Sequence, residues 1–454
     1  MTAISATPKT YSINSMVYSL PRLLMVSALM IVTNLALSLV CYQVVPKVKP
    51  ILLDSCGATA TDIALIIGSI PQLINFILCP LISTCRDRTR TRFGRRTPYL
   101  IITAPLMSGL LLMLGWFKEI AALLVQCFPA LEGTNVPLYC LAALILLFQV
   151  LYLFPGSVYY YLIADVIPRE CIGRYMAVSS CCNSILGAAF NFFLLDKVLG
   201  NIKPAFCIIA AAYLLIYILQ MIFVKEGEYP PVEKRPKNEK FLKSTAAYLV
   251  MFFRQCFGHK IFILLFLASG LNQASNICRN MFNILFATKE IGVTIAEYGK
   301  IAGISGLIAA GVVLIAGKLI DKYHPMAIYF YAGIFIMMVN VFGYFFVYSV
   351  ATFAVIGIAT TLMYAIQGLA DSPLMIAILP PDKYGQFCSA NSMVNSVVVL
   401  VGAWLGGYMT DLFGYRVMFV WDFCVTLIAT LAVAGVYLQW KRLGGKANYV
   451  PPQV

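Results

Sequence analysis

The stretch 270–286, "GLNQASNICRNMFNILF", places amides and an arginine among apolar residues, an arrangement that costs free energy wherever water is excluded. At 100° per residue, Asn272, Asn276, Arg279 and Asn283 fall within about 60° of one another on a helical wheel and make one polar stripe. Amides donate and accept at once, and a guanidinium offers five donors, which suits a hydroxyl-rich or anionic ligand. The same groups also suit hydrogen bonds between helices, so the stripe reads either as substrate contact or as glue inside a bundle. A second constellation in "MYAIQGLADSPL", Tyr364, Gln367 and Asp371, shares a face, with Asp371 nine residues before Pro380. An isolated carboxyl there could carry a proton from one side of a membrane to the other. The other readings of Asp371 are a permanently hydrogen-bonded structural acid or a helix kink tied to Pro373.

The elements that must hold these residues are membrane spans. The chain is 61% hydrophobic and 11% charged, and its mean hydropathy is +0.85, far above that of a soluble domain. A hydrocarbon core of about 30 Å requires roughly 20 apolar residues per helix. Twelve stretches qualify, at 22–45, 62–85, 99–117, 139–163, 175–196, 204–224, 259–286, 300–320, 326–348, 350–379, 388–410 and 417–440. The apolar piece Ile120–Leu131 is too short to span and is expected to be a loop element.

Basic residues concentrate on the cytoplasmic side of membrane proteins. With both termini inside, the inner segments carry 24 of the 33 lysines and arginines, the outer segments carry 8, and Arg279 remains within a span. Six of those arginines lie in "CRDRTRTRFGRRTP", 85–98. Residues 1–21 and 441–454 are thus expected to be cytoplasmic tails, 22–224 and 259–440 two bundles of six helices, and 225–258 a cytoplasmic linker. The linker is charged and proline-bearing, and its end, "TAAYLVMFFRQCF", is expected to lie along the membrane surface as an interfacial helix. No signal-peptide cleavage is expected after the first span. The 14 cysteines lack paired C-x-x-C spacing and read as small apolar packing residues. The 2 histidines, His259 and His324, offer no metal cluster, and neither a cofactor nor a nucleic-acid partner is expected.

Punctuation recurs between the halves. "DVIPRECIGRYMA" around Pro168 and Gly173 reappears as "AILPPDKYGQFCS" around Pro380 and Gly385, displaced by 212 residues, each after the fourth span of its half. Asp196 with Gly200 echoes Asp411 with Gly414, and "GKLIDKYHP" at 317–325 occupies the place of the arginine-rich run. Two repeats of six helices are indicated.

On "RDRTRTRFGRRTP", "LIADVIPRECIGR", "GKLID" and "GGYMTDLFGYRVMF", the chain resembles the major facilitator superfamily, and within it the glycoside-pentoside-hexuronide symporters and sucrose transporters. The resemblance implies an all-α fold of twelve transmembrane helices in two pseudo-symmetric six-helix bundles. It implies that Asp87, Arg88 and Arg95 latch the inner side with Asp165, Arg174 and, from the second repeat, Asp321. The alternative reading of that run is charge that only sets topology. The resemblance also implies that the first and fourth helices of each half line the substrate path. Polar residues there are Ser27, Asn34 and Ser38, then Gln149, Tyr152 and Tyr160, then Tyr364, Gln367 and Asp371, although ordinary packing explains tyrosines equally well. On helix two, Gln72, Asn75 and Cys79 share a face. In the melibiose-type branch two acids one turn apart hold sodium at this place; Asn75 and Cys79 are poor substitutes, so sodium coupling through that site is not expected. Small residues such as Gly187, Gly306, Gly402 and Gly406 suit close helix packing. By depth, Arg279 is expected to pair with Asp62 as an outer gate.

The resulting expectation is a monomeric, proton-coupled carrier of a sugar or glycoside in the cell's plasma membrane, working by alternating access, and not an enzyme. A membrane sensor of the same fold, or a carrier of another small molecule, remains open.

Overall fold

The computed structural model describes residues 11–13, 16–78, 91, 94, 96–227, 251–445 and 449–452. Twelve helices in it are long and apolar enough to cross a membrane. They are α1 Leu20–Ser55 and α2 Ala60–Leu78, α3 Thr97–Gly115, α4 Val136–Val166, α5 Glu170–Gly200, α6 Ile202–Phe223, α7 Lys260–Lys289, α8 Ile295–Lys322, α9 Pro325–Phe346, α10 Val350–Ile378, α11 Tyr384–Phe413 and α12 Val417–Arg442. A short antiparallel hairpin, β1 Tyr11–Ile13 with β2 Met16–Tyr18, precedes them. Residues 251–257 of the expected interfacial segment are helical.

Two boundaries differ from those expected. The loop element after α3 is a helix, Phe117–Cys127, whose 11 residues are too few to cross the membrane. The first span continues past residue 45 to Ser55. A π-helical stretch, Leu39–Val44, widens the turn before Pro46 and Pro50, and Val44, Val45, Val48, Leu52 and Leu53 keep a buried apolar stripe running. Lys47 and Lys49 therefore belong to the helix.

The chain packs as two compact units, Met1–Lys49 with Ile77–Glu233, and Pro50–Phe76 with Lys234–Val454. In the first, the rings of Tyr213 and Tyr217 lie 4.6 Å apart on α6, and Ser108 on α3 donates to the carbonyl of Ala210 at 2.9 Å. In the second, Phe262 of α7 meets Phe387 of α11 edge-on at 4.7 Å, in a core that also holds Leu265, Leu374 and Val436.

The packing groups α2 with the second unit because α2 and α11 are small where they touch. A Cβ added at Gly407 would lie 2.4 Å from that of Ala64, and one at Gly68 would lie 2.5 Å from that of Ala403. Ser69 donates to the carbonyl of Leu400 at 2.8 Å, and the Asp411 carboxylate accepts from the backbone of Ala60 and Thr61 at 2.7 and 2.8 Å, capping the positive end of α2. Gly402 and Gly406 approach Ala274 and Cys278 as closely as their type allows, whereas a side chain at Gly306 would meet open space.

Candidate functional site

Asn276 ends one part of α7, Lys260–Ser275, and begins the next, Ile277–Lys289. Beyond this break, Arg279 donates through Nη2 to Asp422 on α12 at 3.3 Å and to the Asn340 side-chain oxygen on α9 at 2.6 Å. Its guanidinium also lies 5.1 Å from the ring centre of Phe419. Asp422 is 0% exposed, and it accepts from Thr426 at 3.2 Å and from the Tyr364 hydroxyl on α10. Asn283 donates to the Tyr298 hydroxyl on α8 at 3.3 Å, and Ser275 lies 3.3 Å from the Tyr364 hydroxyl. The Arg279 and Asn283 part of the stripe thus turns into its own unit, toward α8, α9, α10 and α12.

This changes the expected partner of Arg279. Depth along the helix favoured Asp62, but the rotation of α7 aims the guanidinium at Asp422. Asp62 is engaged at the start of α2, where it accepts from the Thr59 backbone at 3.0 Å and completes a capping box. Asp422 lies on α12, outside the first and fourth helices of each half that the resemblance marks as lining the path. An acid within a span was the signal available.

The neighbouring face of α7 borders a polar cavity of about 320 Å³. Gln273 and Asn280 line it from α7, Gln72 and Asn75 from α2, and Ser392, Asn395 and Ser396 from α11. Gln273 sits about 100° around the helix from Asn272, so the two polar faces of α7 are adjacent and separate. Asn391 and Asn395 donate to the Ser269 hydroxyl at 3.4 and 3.2 Å, which leaves the side-chain oxygen of each buried without a hydrogen bond. Ile277 and Val399 complete the lining, and its polar groups are uncharged amides and hydroxyls able to donate and accept.

Elsewhere in the second unit, Gln367 is 1% exposed and Asn272 is half-buried, and among the described residues neither side-chain oxygen has a hydrogen-bond partner. Asp371 is half-buried, within electrostatic reach of Tyr329 and Tyr384.

In the first unit, Asn34 donates to Ser179 at 2.8 Å, the Tyr42 and Tyr152 hydroxyls meet at 2.6 Å, and Gln149 is half-buried. The side chains of Tyr160 and Asp321, and all of Asp87, Arg88 and Arg95, lie outside the described residues. Arg174 is exposed. Asp165 accepts from Arg96 at 3.3 Å, so the described partner is the arginine next to the expected one. Arg96 is 3% exposed. At its backbone a further acid enters: Glu226 accepts from the amide of Arg96 at 2.9 Å and from the amide and hydroxyl of Thr97 at 2.6 and 2.7 Å. Glu226 had been read as part of a solvated linker. Its one advance signal is an acid three residues beyond the apolar end of α6.

Residues 23–434 match the family described as MFS/sugar transport protein. The multidrug resistance protein MdtH of Blochmanniella floridana is 24% identical over 159 residues, a match spanning 34% of this chain and 37% of that protein. Among solved structures, a bacterial homolog of the human lysosomal transporter Spinster superposes with a TM-score of 0.66 at 13% identity, covering 92% of this chain and 97% of that one. The nucleoside transporter NupG superposes at 0.61 and 12% identity, covering 92% and 99%. A D-xylose-proton symporter superposes at 0.57 and 14% identity, covering 92% and 97%. At these identities the likeness is one of fold. With twelve spans, an all-α fold and a family match across nearly its whole length, the chain belongs to the MFS/sugar transport protein family and is a multi-pass membrane transporter of major facilitator fold.

Proposed function

We propose that the chain carries a sugar, glycoside or similar hydroxyl-rich molecule by alternating access, with Asp371 taking up the coupling proton and both termini in the cytoplasm of a cell whose plasma membrane it spans. The observation that carries this reading is the cavity lined by Gln72, Asn75, Gln273, Asn280, Ser392 and Asn395. A ring of neutral donors and acceptors matches sugar hydroxyls, each of which also donates and accepts. The buried oxygen of Asn395, without a hydrogen-bond partner among the described residues, supplies a further acceptor. The helices contributing these residues are long enough to span, and on α7 and α11 the lining residues lie at least eight residues from either end, which fits a mid-membrane site. The resemblance to a xylose symporter's fold is in keeping with it.

The test is uptake by the purified protein in proteoliposomes of a radiolabelled panel of pentoses, hexoses and glycosides, with nucleosides as competitors because they share the hydroxyls. Gln273→Ala and Asn395→Ala should each lower the affinity for the best substrate by about tenfold, near the cost of one or two hydrogen bonds. Normal binding in both variants would remove the cavity from the substrate path, and absence of uptake of every compound would count for a sensor.

A further inference from the structure

Two cations are enclosed in the first unit. Lys49 on α1 is 6% exposed, with its ammonium 6.0 Å from the ring centre of Phe148 on α4. Lys47, half-buried, donates to the Gln43 side-chain oxygen at 2.8 Å and to that of Asn191 on α5, and lies 5.1 Å from the ring centre of Phe190. Among the described residues, neither makes an ion pair with a carboxylate. Phe148 is twelve residues along α4 from Val136, about 18 Å from that end at 1.5 Å per residue, so the charges stand at membrane depth.

A lone charge at that depth is expensive, and amides and aromatic faces offset only part of its lost hydration. The surroundings nevertheless hold Lys47 in place. Gly187 on α5 leaves room for Gln43, since a Cβ there would lie 3.0 Å from its amide nitrogen. An ammonium fixed by two amide oxygens keeps a third donor free for an anion.

We infer that Lys47, oriented by Gln43 and Asn191, is a binding site for an anionic group, a carboxylate or a phosphate. Such a group could come from a transported solute or from a lipid headgroup. The solute case deepens the carrier reading above and rests on it.

The experiment uses the full chain in nanodiscs of phosphatidylcholine alone, followed by thermal unfolding. Matched probes are glucose, glucuronate, glucose 6-phosphate and inorganic phosphate. The site predicts that at least one anionic probe stabilises the wild type beyond its neutral counterpart. Lys47→Met should lose at least tenfold in affinity for that anion and Lys47→Arg should retain it. A parallel series in nanodiscs containing phosphatidylglycerol separates the sources: stabilisation by this lipid alone, abolished in Lys47→Met, assigns the site to a headgroup. If no anionic probe and no anionic lipid stabilises the wild type, or if Lys47→Met and Lys47→Gln respond as the wild type does, the site is refuted. Unaltered uptake of a neutral sugar by those variants would leave the carrier reading standing while the anion site falls.

Discussion

Arg279 on α7 and Asp422 on α12 form an ion pair at 3.3 Å with side chains 11% and 0% exposed. Two charges enclosed together repay their lost hydration only while both are present. Asp422→Ala should therefore destabilise the protein by about 3–5 kcal/mol, because it strands the guanidinium. Arg279→Met with Asp422→Leu should recover most of the loss. Thermal unfolding of the purified variants in detergent checks this, and a double variant as unstable as the single one would show that packing, not charge, holds α7 to α12.

At the start of α3, Glu226 accepts two backbone amides and a hydroxyl. A carboxylate at a helix N-terminus satisfies orphan donors and meets the positive end of the helix dipole. Gly94 brings the chain past it with φ +106, a conformation that a β-branched residue would resist. Glu226→Gln should weaken this cap by about 1 kcal/mol and Glu226→Ala by somewhat more. Hydrogen exchange of the amides at Arg96 and Thr97 should quicken in the same order, and unchanged exchange in Glu226→Ala would mean the cap is dispensable.

What could be read from the sequence follows from what periodicity contains. Apolar length gives the twelve spans, because the hydrocarbon thickness fixes it, and proline-glycine punctuation marks the junction at Pro168, an N-cap in the structure, and its repeat at Pro380. The angular position of a polar residue is legible within one unbroken helix, and Arg279 and Asn283 do turn the same way, whereas the break at Asn276 interrupts the stripe that Asn272 begins. Which neighbour that face meets is not legible, since it depends on how α7 is turned against α12, and Arg279 consequently has Asp422 where Asp62 was expected. Lys47 and Lys49 fall beyond the expected first span, 22–45; aromatic and amide groups from α4 and α5, remote in sequence, enclose them.

Glycines on α11 can be ranked by what their hydrogens face. A methyl at Gly407 would sit 2.4 Å from the Ala64 Cβ and 2.8 Å from the Ala60 carbonyl oxygen. Gly407→Ala should cost about 1–3 kcal/mol by overpacking. Adding Ala64→Gly should restore part of it, the carbonyl contact remaining. Gly306→Ala, with nothing within 4 Å, is the control and should unfold at the wild-type temperature. Equal melting of Gly407→Ala and the control would contradict the close approach of α2 and α11.

The orientation with both termini inside predicts the labelling of introduced cysteines. In a cysteine-depleted background, a cysteine at position 55, where Ser55 is exposed beside Asp54, should react with an impermeant maleimide in intact cells. Cysteines at positions 90 and 238 should react only after permeabilisation. Labelling at 90 from outside would invert the topology and with it the sidedness of the Arg96–Asp165 pair.

Asp371 is where uphill transport should be decided. It lies on α10 nine residues before Pro380, half-buried, and among the described residues it makes no ion pair. Asp422, fully buried on α12, is already committed to Arg279 and Tyr364. A carboxylate without a cation at such depth is costly, so binding and release of a proton as the environment changes is the chemistry open to it. Asp371→Asn keeps the shape and most hydrogen bonds while fixing the neutral form. In proteoliposomes it should abolish accumulation driven by a pH gradient, with the initial rate falling at least tenfold, yet leave exchange of labelled for unlabelled substrate at equilibrium. That pair of results separates coupling from binding, because a merely structural acid would affect both assays together. Persistent pH-driven accumulation in Asp371→Asn would place the coupling proton on another residue.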